Sequence, residues 1–359
     1  MRVDQVIPSL ASRDAIGVHT LNLTAALRRA GYESEIYYGT CTPDLAARGR
    51  PVVDLGHAGR DRWLLWQGSI GSGVFDILAT RAEPKIVNYH NITPAALLEG
   101  WAPTVAYEVG LGRSQLERLA PESRLAVADS RFNESELISA GYANTAVVPL
   151  LIDMRSTGAP PDPATAQRLA AAKATGGPDF LYVGKISPHK APHDLVKMLA
   201  VYHRLYDDRA RLHLVGSPLG DRYGPALGSF IARLGLADHV TVAGSVGEGA
   251  LEAYFAAADV YLSASDHEGF CVPLVEAMGH GVPVVAYGVT AVPETVGEAG
   301  ILLPTKSPAR FAAAVARVLG DDELRAQLAR AAAARVGSFS LEDSSRRFVD
   351  LVTATVGRP

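Results

Sequence analysis

Several things are scarce in this sequence, and each shortage excludes a class of protein. Its 359 residues hold two cysteines, Cys41 and Cys271. Two cysteines cannot build a disulfide framework, so a reducing compartment, the cytoplasm, is expected. No apolar run approaches the ~20 residues that a bilayer-spanning helix needs. The opening Met1-Arg2-Val3-Asp4 lacks the apolar stretch of a secretion signal. Basic excess is missing too: 34 Lys and Arg stand against 38 Asp and Glu, a net charge of -4. That argues against a dedicated nucleic-acid binder. No Asp-x-Asp triplet occurs, and His189 and His193 have Pro192 between them and no third ligand. No metal and no cofactor is therefore expected.

Hydrophobic residues make up 48% of the chain and charged residues 20%, the balance of a globular protein with sizeable cores. At ~150 residues per domain the length suggests two domains. Apolar, β-branched runs read as strands near 3–7, 33–38, 63–67, 85–89, 125–129 and 146–148. Helical runs fall at 18–29, 104–119 and 133–140. Residues 154–179, with Gly158, Pro160, Pro161, Pro163, Gly176, Gly177 and Pro178, read as an interdomain connection. A second series follows, with strands near 180–183, 211–215, 240–243, 260–263, 284–286 and 301–303. Its helices fall at 193–206, 226–234, 250–257, 273–278, 307–319, 322–334 and 341–356. Strand–helix alternation gives parallel sheets covered on both faces. The fold class expected is α/β, with two doubly wound Rossmann-like domains. Ligands of such sheets bind beyond the carboxyl ends of the strands.

The most informative stretch is Ser265-Asp266-His267-Glu268-Gly269-Phe270-Cys271-Val272-Pro273-Leu274-Val275-Glu276-Ala277-Met278. It follows a short strand and opens a helix, with Pro273 suited to the first helical turn. Free N–H groups from about Gly269 to Val275 would form an anion site. Glu276 falls one turn inside the helix, and Glu268 on the loop before it. Two carboxylates there would repel a phosphate but suit the hydroxyls of a sugar and a ribose. Alternatively, Glu268 is a solvated loop acid and Glu276 a helix-surface acid. Cys271 as a nucleophile has only His267 to activate it and reads better as a small buried residue.

The two glutamates, with Gly269-Phe270, Pro273-Leu274, Ala277-Met278 and Pro283-Val284-Val285-Ala286 around them, resemble retaining glycosyltransferases of family 4, the glycogen synthase-like superfamily with the GT-B fold. The resemblance implies two Rossmann-like domains facing a cleft: an N-terminal acceptor-side domain over 1–165 and a donor-binding domain over 176–338. A terminal helix within 340–359 would pack back on the first. It implies that Glu268, Gly269 and Phe270 hold the donor sugar and Glu276 the ribose. Lys185 and Lys190 would neutralise the donor diphosphate, Lys185 standing where the family has Arg. The backbone at Cys271 and Val272 would join them. Gly216, Ser217, Ser245 and Val246, after their strands, would hold the base. Gly17, in a glycine-containing loop after the first strand, would approach the diphosphate. His90, after the strand at 85–89, would contact the donor sugar, so His90, Glu268 and Lys190 are the expected catalytic set.

The reaction implied moves a hexose with retention from a nucleotide-diphosphate sugar to a hydroxyl acceptor. GDP-mannose, UDP-glucose and UDP-N-acetylglucosamine all fit. The alternatives are a nucleotide-sugar epimerase or a sugar phosphorylase on the same fold, and, further off, a non-catalytic nucleotide-sugar binder. Gln67-Gly68-Ser69-Ile70-Gly71-Ser72-Gly73 has the wrong glycine order for a dinucleotide fingerprint and reads as a tight turn. Arg113, Arg118, Arg124 and Arg131 would suit a membrane surface, but Glu108, Glu117, Glu122 and Asp129 interleave with them. A solvated face is the reading favoured there over a membrane contact. Acceptor and oligomeric state are not fixed by these residues.

Overall fold

The computed structural model describes residues 1–12, 14–59, 61–153 and 158–359. These form two compact units, one built from 1–96, 104–153 and 339–359, the other from 97–103 and 158–338.

The first unit contains β1 (Arg2–Leu10), α1 (Ala15–Arg29), β2 (Ile36–Cys41), β3 (Arg50–Pro51), β4 (Arg62–Gly68), α2 (Val74–Ala79), β5 (Lys85–Tyr89), α3 (Pro103–Leu119), β6 (Ser123–Ala128), α4 (Arg131–Ser139) and β7 (Thr145–Val147). Its seven strands are all parallel, in the order β3-β2-β1-β4-β5-β6-β7. The second strand lies further along than the sequence suggests. Nine-residue β1 is a longer template than its apolar run implies, and it pairs Ser9 with Thr40 and Leu10 with Cys41.

The second unit contains α5 (Pro163–Lys173), β8 (Asp179–Val183), α6 (Pro192–Leu205), β9 (Arg211–Val215), α7 (Tyr223–Arg233), β10 (Val240–Gly244), α8 (Glu248–Ala257), β11 (Val260–Ser263), α9 (Val272–Gly279), β12 (Val284–Tyr287), α10 (Val292–Val296), β13 (Gly300–Leu303), α11 (Pro308–Gly320) and α12 (Asp322–Gly337). Its six parallel strands run β10-β9-β8-β11-β12-β13. The order reverses between β8 and β11, so loops after those two strands sit at the switch point where such sheets bind ligands.

Phe180, Leu212, Leu262 and Val285 from the sheet pack with Leu195, Leu199, Phe311 and Val315 from the helices in the second core. In the first core Val3, Leu65, Ile86 and Val127 meet Leu23 and Leu27 of α1. The same core takes in Phe348, Val352 and Val356 of α13 (Leu341–Val356). Tyr32 ties that helix down by donating to the Gly357 carbonyl at 2.6 Å. The boundary differs from residue 165. Asp162 N–H donates to Gly249 O at 2.8 Å and α5 packs on α8, so 158–165 join the second unit. Residues 154–157, part of the expected connection, lie outside the described residues.

Candidate functional site

The loops after β8, β9 and β10 form one tier. Gly184 N–H donates to Val215 O, and Gly216 N–H to Gly244 O, both at 2.9 Å. Gly216 has φ +146°, and a Cβ there would lie 1.9 Å from Gly184 O. No side chain fits, so the backbone is bare at the carboxyl end of β9. Ser217 and Ser245 are exposed on this tier, and Val246 half-buried.

Lys190 closes the next loop. The turn Pro188–Lys190 is followed by Ala191 in the left-handed region (φ +48°), and Pro192 then opens α6. Its Nζ lies 2.6 Å from Glu268 Oε2. Four contacts fix the Glu268 loop: Asp266 N–H donates to His189 O at 2.7 Å and Glu268 N–H to Thr290 Oγ1 at 3.0 Å. Ala291 N–H reaches Glu268 O, and Thr295 Oγ1 donates to Phe270 O at 2.6 Å. Lys185 is exposed beside this loop. Burial, then Lys190, His267 and Lys185, push the His189 imidazole down to about 3. It stays neutral, so the positive charge here is carried by the lysines.

The motif then turns into α9. Cys271 occupies the N-cap with φ +71°, a conformation that side chains adopt at a cost. Burial and the Glu268 carboxylate hold its thiol well above the usual range. A thiol kept neutral is a poor nucleophile. The first N–H groups of α9 have no partner inside the helix and face the end of β11. Glu276, one turn in, is half-buried, and its carboxylate accepts no hydrogen bond from any described residue. Burial raises it to about 7, with Glu252 adding and His280 opposing. A largely desolvated carboxylate without a partner is costly to fold around.

The reading of the sequence missed Thr290, Thr295 and Lys306. The threonines buttress the Glu268 loop from the segment 290–295. Lys306 Nζ lies 2.6 Å from Asp266 Oδ1 and 3.3 Å from Asp194 Oδ2, so two carboxylates already hold it.

In the first unit Gly17 and His90 both make contacts within the unit. A Cβ on Gly17 would lie 2.1 Å from Ala11 O, so packing of α1 on its own entry loop requires this glycine, whatever ligand it meets. The His90 side chain is only 1% exposed. Its Nδ1 lies 2.9 Å from Asp129 Oδ2 and its Nε2 2.6 Å from Gln67 Oε1. Both ring nitrogens therefore have partners within the unit. Gln67 goes on to Gln5 at 2.5 Å, and Gln5 to Thr24 at 2.7 Å. Gly71 N–H donates to Glu108 O of α3 at 3.1 Å, so the turn after β4 serves helix packing. Arg113 pairs with Glu136 at 2.8 Å and Arg118 lies over Phe75, internal uses for two of the four arginines.

Two units, each with a parallel sheet of Rossmann type, are the architecture of the GT-B fold. Comparison with solved structures agrees. Anabaena HepE, crystallised with UDP and glucose, superposes with TM-score 0.78 at 17% identity, covering 99% of this chain and 100% of that one. Sucrose-phosphate synthase of Thermosynechococcus elongatus gives 0.73 at 18% identity over 99% of both chains. Residues 164–335 match the family described as Glycosyl transferases group 1. D-inositol 3-phosphate glycosyltransferase of Streptomyces scabiei is 35% identical over 190 residues, 49% of this chain and 41% of that protein. Its counterpart in Streptomyces griseus is 31% identical over 284 residues, 73% and 59% respectively. The chain thus spans about half the length of these curated relatives. The chain has the GT-B fold, and its segment 164–335, within the second unit, matches the Glycosyl transferases group 1 family.

Proposed function

We propose that this protein is a retaining glycosyltransferase that takes a hexose from a nucleotide-diphosphate sugar and transfers it to a hydroxyl acceptor. The observation that carries the reading is Glu276: a largely desolvated carboxylate that accepts no hydrogen bond from the described residues, one turn inside the helix that follows the switch-point strand. A vicinal diol supplies the two O–H donors it lacks, and a nucleoside ribose has one. Lys190, Lys185 and the N–H groups at Cys271 and Val272 take the diphosphate, where negative charge builds as the sugar leaves. Glu268, Gly269 and Phe270 hold the sugar hydroxyls, with Lys190 fixing the Glu268 carboxylate. Gly216, Ser217, Ser245 and Val246 receive the base. Cys271, held as a neutral thiol, is a poor nucleophile toward the sugar. That suits same-face transfer, with the leaving phosphate helping to take the acceptor proton. His90 acts from within its own unit, by holding strand ends in place.

UDP sugars come first among donors, because HepE was crystallised with UDP. D-inositol 3-phosphate, named in the curated relatives, comes first among acceptors. The test is calorimetry with UDP, GDP and their glucose, mannose and N-acetylglucosamine conjugates, followed by product analysis with and without acceptor. Donor binding with transfer and retained anomeric configuration is expected. Conversion of the donor without any acceptor would point to an epimerase, and binding without turnover to a sensor.

A further inference from the structure

The second unit holds a cavity of about 510 Å³ that none of the proposed donor residues lines. That volume is in the range of small-ligand pockets. Its walls come from α6, from α7 and from Trp101, which lies in the segment 97–103 of the same unit. Most of the lining is apolar: Trp101, Tyr223, Leu227 and Phe230. Tyr223 is buried and held in place, its hydroxyl 2.7 Å from His193 Nδ1. Trp101 and Tyr223 meet in a T, with centroids 5.4 Å apart and planes at 86°. Trp101 is nevertheless 40% exposed, so indole surface beside the cavity is left in water.

Two cations line the cavity, Lys197 and Arg233, and among the described residues no carboxylate does. Lys197 lies 2.8 Å from Asp194 Oδ1. The other oxygen of Asp194 lies 3.3 Å from Lys306, which is 2.6 Å from Asp266. Those two ammoniums and two carboxylates balance. Arg233 is exposed and pairs with no carboxylate among the described residues. It is therefore the uncompensated charge of the cavity, and its planar fork matches a carboxylate or a phosphate. The face of an indole carries the negative part of its quadrupole, and the C–H face of a pyranose is the electropositive surface that lies on it.

We propose that this cavity is a second sugar site, taking a pyranose that bears a carboxylate or a phosphate, with its C–H face on Trp101 and its acidic group on Arg233. The choice of a sugar over another ring acid rests on the reading of the chain as a glycosyltransferase; the anion site does not. α6 opens at Pro192, two residues after Lys190, and Lys197 falls about 8 Å along its axis. The cavity thus lies along the helix whose entry carries the proposed diphosphate contact.

The test reads Trp101 directly. The chain has three tryptophans, of which Trp66 is fully buried and Trp63 half-buried. The full chain without donor is titrated with glucose 6-phosphate, glucuronate, glucose and benzoate while tryptophan emission is followed. Both acidic sugars should give a saturable change that is lost in W101F. If W101F does not fold, W101Y makes the same comparison. Glucose, which leaves Arg233 unpaired, should bind about tenfold more weakly or worse. R233A should weaken both acidic sugars by about tenfold, and R233K should recover only part, since an ammonium lacks the fork. Silence toward both acidic sugars, equal affinity for glucose, or unchanged affinity in folded R233A overturns the proposal. Benzoate bound as tightly as glucuronate overturns the sugar assignment. Calorimetry with UDP and GDP runs alongside: a wild-type chain that binds neither sinks the donor reading, while the emission titration still decides this site.

Discussion

The two units place polar side chains at the carboxyl ends of similar parallel sheets and treat them in opposite ways. In the first, Gln5, Gln67 and His90 are buried and bonded to one another, with Asp129 at the end of the chain of contacts. In the second, Lys190 and Glu268 pair, while Glu276 accepts no hydrogen bond from the described residues. A polar group at a strand end is therefore not by itself a ligand contact. What separates the two cases is demand left unmet by the protein. The first network is satisfied within its own unit and the second is the proposed donor site, which yields separable expectations for each.

The sharpest break in the comparison is Glu276→Gln. It should lower kcat/KM for the donor by about a thousandfold, near 4 kcal/mol of transition-state stabilisation. Stability should move the other way. The folded carboxyl titrates near 7 against an ordinary 4.5, so its penalty is absent below pH 4.5, grows to pH 7 and is constant above. The variant should gain on the order of 2 kcal/mol at pH 8 and nothing at pH 4, measured by urea melts at both values. A variant that loses stability at pH 8 would mean that Glu276 already has a partner in the protein.

This contrast also shows how much of the molecule was legible in advance. The strands at 85–89, 211–215 and 260–263 and the helix at 341–356 were readable to the residue, because periodic apolar runs end at clear turn signals. Glu268, Glu276 and Lys190 were readable because their motifs are contiguous or lie a few residues apart. Thr290, Thr295 and Lys306 were not, since they reach the Glu268 loop from segments distant in sequence. The contacts of His90 with Gln67 and Asp129 were not readable, because a strand-end position looks alike in sequence whether the ring faces out or in. Gly17 likewise signals a close approach without saying to what.

His90→Ala tests the closed network. Removing the ring strands the Asp129 carboxyl, which burial already raises and His90 lowers. The cost should be about 3 kcal/mol at pH 7. A carboxyl raised in the folded state favours folding below its ordinary value and loses that advantage as pH rises, so the deficit should shrink toward pH 4. Thermal melts across pH 4–8 check this. A thousandfold fall in turnover with unchanged stability would put His90 back among the groups that meet the sugar.

Lys190→Ala should cost about 2 kcal/mol by urea melts, less than a fully buried pair because Lys190 is 23% exposed. Adding Glu268→Gln should restore most of that stability, since no buried charge is then unpaired, while transfer stays lost. Activity that returns with stability would reduce the pair to a structural ion pair like those of the first unit.

The smallest effect expected is at Cys271, where strain and contact oppose each other. A residue with φ +71° that is not glycine costs about 1 kcal/mol. Glycine relieves that cost, but it also removes a side chain packed beside Glu268. The two changes nearly cancel, so Cys271→Gly should sit within about 0.5 kcal/mol of wild type. Cys271→Ala keeps the strain and loses the thiol, so it should be less stable than the glycine variant by about 1 kcal/mol. Urea melts of the pair isolate the backbone contribution, and donor KM in the same two variants isolates the thiol. If both variants bind donor like wild type, the N-terminus of α9 works through its backbone alone. If both weaken equally, the thiol helps to hold Glu268, and the second unit's open site depends on a contact as internal as any in the first.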